Sequence, residues 1–291
     1  MSESVVRILA SSHFAGGDAG LDEARLAAFE SALGAQLPEE ARAMYRRCGG
    51  IGTRVRTPLP MRPMPPADAI DTLQLLTDAA DTYRPHPEAR YLFTDDNSNW
   101  VGLFVLGPLR GKLTMLDHDV SSGAPRFASL GSFLAKLVAA ADAGRDWPTM
   151  QTDYPLAPDA DAALVDEARP LCALYLEQHH RASDPMARNL AGEIALHLTD
   201  PRAGDTVREM LASPWPYVRH VAFQVAAVHK RAEWAPELAA YAGAALERGE
   251  YGPWVSAITA LAAIEDGAEV AALEAAAPRN WPRPLRGRGR R

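Results

Sequence analysis

The chain has 291 residues and a formal net charge of −7, with 47% hydrophobic and 23% charged residues. That balance excludes a globally disordered chain, and the length points to two domains, each able to bury a core of its own. No apolar run approaches the roughly 18 residues that a spanning helix needs. The start lacks the layout of a signal peptide, and two cysteines, Cys48 and Cys172, are too few for a disulfide framework or a four-cysteine metal site. The expected location is the cytoplasm, with both thiols reduced and no membrane partner.

In chain order, Leu21 to Leu33 carries Leu26, Phe29 and Leu33 at helical spacing, with Gly34 as its stop. Leu37-Pro38-Glu39-Glu40 opens a second helix that runs to about Arg47, its carboxylates placed where the helix dipole favours them. The proline-rich stretch Thr57 to Pro66 reads as extended chain or loop. A short helix is expected over Ala69 to Ala80. Strands are expected at Tyr91-Leu92-Phe93, Val101 to Leu106 and Lys112 to Leu116, joined by turn-forming residues into an antiparallel meander. Ser129 opens an amphipathic helix through Ala141, and Gly144 to Pro158 reads as a linker.

Beyond it, helical segments follow near 160–180, 185–198, 203–212, 217–230, 235–248, 253–265 and 267–277, separated by Asp-Pro, Ser-Pro, Gly-Pro or Asp-Gly breaks. Arg188 to Ala195 matches Arg219 to Ala226 at a period of 31, and a looser copy places Val255, Ile258 and Ala262 after Val218, Val221 and Val225. Such a period suggests stacked helix pairs. The expected organisation is an α+β domain over 1–147, an all-α repeat domain over 148–278 and an arginine-rich, disordered tail over 279–291.

Charge is uneven along this plan. Residues 1–150 hold 15 basic and 18 acidic groups, residues 151–278 hold 9 and 19, and residues 279–291 add six arginines. An acidic body argues against nucleic acid as the main partner, because duplex binding needs a broad cationic surface. It favours a basic protein.

The first half resembles the SMI1/KNR4, or SUKH, superfamily. The resemblance rests on the helix ending Leu33-Gly34, on Leu37-Pro38-Glu39 and on Gly49-Gly50. It continues in Leu113 to Asp119, similar to that family's late strand, and in Ala128 to Leu134, similar to its final helix. It covers about residues 18–142. Cys48-Gly49 stands where the family usually has Asn-Gly. The second half resembles HEAT-type repeats, with Asp184…Arg188 and Tyr217-Val218-Arg219 carrying the likeness. The first resemblance implies that the chain works by binding. Bacterial SUKH proteins are largely immunity proteins that block a cognate polymorphic toxin, and eukaryotic ones are regulatory scaffolds. No catalytic residue set comes with it. The excess of 27 Arg over 3 Lys fits a bacterial source.

These readings lead to an expectation of toxin neutralisation by steric and electrostatic blocking, with no catalytic residue, metal or cofactor; a regulatory scaffold is the alternative. Candidate partner contacts are Asp95, Asp96, Asn99, Trp100 and Asp117 on the first domain's turns, and Glu209, Trp215, Tyr217 and Glu237 on the repeats. Trp215 and Trp254 stand at helix corners, where an exposed interface anchor and a core residue are both open readings. Asp117 and Asp119 share a strand face and could hold a divalent metal in an enzyme, although a polar strand end explains them too. Asp95, Asp96, Asn97 and Asn99 fit a turn better than a cation loop. His179 and His180 are adjacent on a helix, cannot share a metal face, and are expected to face solvent. Cys48 at a helix C-terminus is expected to be structural rather than reactive.

Overall fold

The computed structural model describes residues 3–117, 123–265 and 267–282. It divides into two compact units, Met1–Tyr154 and Pro155–Arg291. The fold is mixed α+β, with a five-stranded antiparallel sheet in the first unit and helices throughout the second.

The first unit opens with α1 (Glu3–Leu9), α2 (Glu23–Leu33) and α3 (Glu39–Arg47). Asp22 caps α2 by accepting the Arg25 N–H at 2.8 Å, and Gly34 ends it in the left-handed conformation. α3 begins after Pro38 with Glu39 and Glu40 in its first turn. Chain reversal after α3 needs Gly50: its φ is +108° and a Cβ there would lie 2.3 Å from the Pro65 nitrogen.

The sheet follows in the order β1 (Arg62–Pro63), β2 (Ala89–Thr94), β3 (Trp100–Phe104), β4 (Leu113–Leu116) and β5 (Pro125–Phe127), every neighbouring pair antiparallel. The proline-rich stretch supplies β1 at the sheet edge, where a missing N–H is tolerated. Between β1 and β2 lie α4 (Pro66–Asp78) and α5 (Ala80–Tyr83); α6 (Leu130–Asp142) follows β5, capped by Ser129 Oγ accepting the Ser132 N–H. Phe93, Phe127 and Phe133 meet edge to face between sheet and α6.

Residues 148–154 belong to this first unit. The stretch that reads as a linker is tied back: Asp153 accepts from the Ala128 N–H (2.8 Å), from Ser132 Oγ (2.6 Å) and from Lys136 (2.6 Å), and the fully buried Tyr154 hydroxyl accepts from Lys112 Nζ at 3.2 Å. Glycines and prolines in the sequence mark a break in regular structure, but they do not show where such a carboxylate will dock.

The second unit runs α7 (Ala162–Arg181), α8 (Pro185–His197), α9 (Asp205–Leu211), α10 (Pro216–His229), α11 (Ala235–Glu247), α12 (Tyr251–Ile264) and α13 (Ala268–Ala276). Neighbours pair as α7 with α8, α9 with α10 and α11 with α12, and α10 packs between α8 and α12. Buried alanines (Ala222, Ala226, Ala239, Ala242, Ala257, Ala260) let helices approach around Trp234, Trp254 and Leu261. Gly192 serves the same end, since a Cβ there would stand 2.8 Å from His179 Nδ1. At the far end Trp281 packs on Trp254 (5.3 Å) and Tyr251 (5.5 Å). Trp254 is a core residue. Among the described residues, no helix is long and apolar enough to cross a membrane.

Each unit holds a buried histidine whose charged form burial disfavours. His86 lies edge-on to Phe104 and its Nδ1 accepts the Glu88 N–H, and burial pushes its pKa from 6.5 down to about 4. His229 packs against Trp234, and burial, helped by Arg231, pushes it down to about 4 as well. Below about pH 6.5 the unfolded chain gains protons that these rings refuse, so stability is full at neutral pH and is lost as pH falls toward about 4, by at most about 3 kcal/mol per ring. Urea melts followed by circular dichroism are expected to show the midpoint falling across that window, and His229→Phe is expected to flatten the acid slope of the second unit.

Candidate partner-binding surface

The turn between β2 and β3 holds Asp95, Asp96 and Asn99, and its polar groups serve the turn. Asp95 Oδ1 accepts the backbone N–H of Asn97 (2.8 Å) and Asn99 (3.2 Å), and its Oδ2 accepts Asn99 Nδ2 at 2.6 Å. Asp96 and Ser98 adopt positive φ, +63° and +61°. The Asp96 carboxylate grips Arg62, accepting from Nε at 2.9 Å and from the guanidinium NH2 at 2.7 Å. Arg62 is 5% exposed and also donates to Asp68 and to the Ile51 carbonyl. Asn99 and Trp100 are buried, Trp100 edge-on to Tyr83. Neither side chain stands exposed beside the turn, and β3 is buried along its whole length. Asp117 is half-buried at the end of β4; His118 and Asp119 lie outside the described residues.

On the second unit the candidates converge better. α9 forms a ridge between two concavities. One, of about 440 Å³, is lined by His180, Arg188, Glu209, Met210, Pro214 and Trp215 among others. The other, of about 290 Å³, is lined by Arg208, Leu211, Phe223, Glu237, Leu238 and Tyr241 with Ala212, which both share. The two are built from repeated parts. His180 Nε2 meets Glu209 at 2.5 Å and Arg208 Nε meets Glu237 at 2.8 Å, each pair separated by 29 residues. Arg188 donates to the Ala182 carbonyl and Arg219 to the Ser213 carbonyl, each reaching six residues back. Arg188 lies 4.6 Å over the Trp215 ring and Arg219 5.8 Å over Tyr241. In the third pair the matching position is Ser256, which donates to Gly252 O instead, so this pattern stops there.

Glu209 and Trp215 therefore share one concavity and Glu237 lines the next, while Tyr217 turns its hydroxyl inward to the buried Glu193 at 3.0 Å. His179 is buried rather than solvent-facing: its Nδ1–H donates to the Arg188 carbonyl at 2.9 Å, which aligns α7 with α8. His180, Arg188, Arg208 and Tyr241 are not among the partner contacts expected from sequence, although the 31-residue similarity places Arg188 and Arg219 in register. Cys48 is buried, and burial raises its thiol pKa. Among the described residues no cluster of His, Cys, Asp or Glu could hold a metal ion. Compared with known proteins, the chain matches no family model and no curated protein.

Removing Asp96 leaves the buried Arg62 with weaker partners, so Asp96→Ala is expected to destabilise the first unit by about 2–4 kcal/mol in urea melts. Arg188→Lys keeps the charge but not the planar fork, and is expected to destabilise the second unit by about 1–2 kcal/mol.

Proposed function

We propose that the chain is a bacterial immunity protein of the cytoplasm, a SUKH-like α+β unit followed by HEAT-like repeats, which binds a cognate polymorphic toxin and blocks it without catalysis. The partner is a basic effector, such as a nuclease with a cationic substrate groove. The order of elements in the first unit supports the SUKH-like part: two helices, an antiparallel meander and the closing helix α6. The repeated arginine contacts of α8 and α10 support the HEAT-like part. The observation that carries the function is the acidic repeat region, 19 acidic against 9 basic groups over residues 151–278, in which the two concavities on either side of α9 lie. A charge of that sign attracts a basic protein from a distance, and complementary charge raises association rates toward about 10⁸ M⁻¹s⁻¹ at low salt. Half-buried Trp215, with a polar rim around it, is the kind of group on which interface energy concentrates.

Pull-down of the tagged full chain from its native bacterium is expected to recover one stoichiometric basic partner, toxic when expressed alone and harmless with this chain. Retention is expected to fall as salt rises. Trp215→Ala is expected to weaken binding about thirtyfold or more. Several substoichiometric partners, or one whose expression is harmless, would point to a scaffold instead.

A further inference from the structure

We infer that the concavity of His180, Glu209 and Trp215 receives the guanidinium of an arginine from the partner. This inference rests on the reading above of a basic protein partner. The choice of this concavity over its neighbour follows from how each carboxylate is matched. Glu237, in the second concavity, is held by Arg208, a permanent cation. Glu209 is held by His180, an imidazole rather than a guanidinium, through a single contact. The arginine lining the first concavity, Arg188, is engaged with the Ala182 carbonyl and the Trp215 ring. His179 adds no competing charge there, because its Nδ1–H donates to the Arg188 carbonyl.

Glu209 thus presents a carboxylate whose one ion-pair partner among the described residues is an imidazole, with both side chains about half exposed (50% and 49%). An exposed pair of this kind is weak, whereas a guanidinium can grip the same carboxylate through two parallel hydrogen bonds. Met210, Pro214 and Trp215 provide apolar lining for the aliphatic stem, and a volume of about 440 Å³ holds an entire arginine side chain. The charged groups near the His180–Glu209 pair on its own helices are Glu177, Arg181 and Arg208; Glu177 pairs with Arg181, and Arg208 with Glu237.

The test is a ¹⁵N NMR titration of the full chain with a short glycine peptide bearing one arginine, beside the same peptide with citrulline, which keeps the shape and removes the charge. The arginine peptide is expected to bind saturably in the millimolar range, to move the Trp215 indole signal, and to bind about tenfold more tightly than the citrulline peptide. Glu209→Gln is expected to weaken it about fivefold or more, and substitution of an exposed carboxylate on α13, Glu269→Gln, to leave it unchanged. Equal binding of the two peptides, or shifts confined to other residues, would overturn the inference, and the citrulline comparison does so without any substitution in the protein. Arginine-peptide binding without a captured toxin would leave the site standing and remove the immunity reading. A captured toxin indifferent to Glu209→Gln would do the reverse.

Discussion

Backbone carbonyls at helix ends and in loops must find donors when they leave water, and this chain meets that demand with arginine. Arg90 donates to the Leu33 carbonyl at the end of α2, Arg62 to Ile51, Arg188 to Ala182, Arg219 to Ser213 and Arg231 to Arg202. In the second unit the same guanidiniums also lie over aromatic rings: Trp215, Tyr241 and Trp234. One planar group thus satisfies an acceptor, covers a ring and joins segments distant in sequence. Lysine, a compact and strongly hydrated charge, cannot do all three. The excess of arginine over lysine, which composition leaves without a folding role, acquires one in these contacts.

The same contacts determine which polar residues remain for a partner. In the first unit the polar turn after β2 is consumed by its own geometry, because Asp96 must neutralise Arg62 and Asp95 must close the loop. In the second unit the cations that hold the repeats together stand beside carboxylates at a half-exposed surface. The surface is therefore a by-product of the packing scheme: the residues that set the register of α8 and α10 also position Trp215 and Tyr241.

Much of this was legible in the residues. Helix periodicity, the Pro38-Glu39 entry, the Ser129 cap and the Asp-Pro and Ser-Pro breaks locate the helices, since each signal acts within one or two turns. β1 and β5 escaped notice because strands of two or three residues carry no period. The burial of Asn99 and Trp100 is equally hidden: polarity and proximity to a turn do not reveal that β3, paired on both sides by β2 and β4, is covered along its whole length. Glu209 and Trp215 could be named from polarity and corner position, but their closeness depends on α9 following α8 back across the stack, a relation between helices that local pattern does not contain.

Ser256, standing where an arginine would continue the series, has a consequence for how such an array can change length. The carbonyl contacts of the series lie within a helix pair and the ring contacts join each pair to the next, so each 31-residue segment carries its own carbonyl, its own guanidinium and a ring for the segment before it. Duplication of one segment would reproduce all three together and leave the Tyr251, Trp254 and Trp281 cluster untouched at the end. Growth by internal copying is chemically self-consistent in this chain. At the third pair the series has no arginine to copy: Ser256 meets Gly252 O in its own helix and His220 Nδ1 on α10.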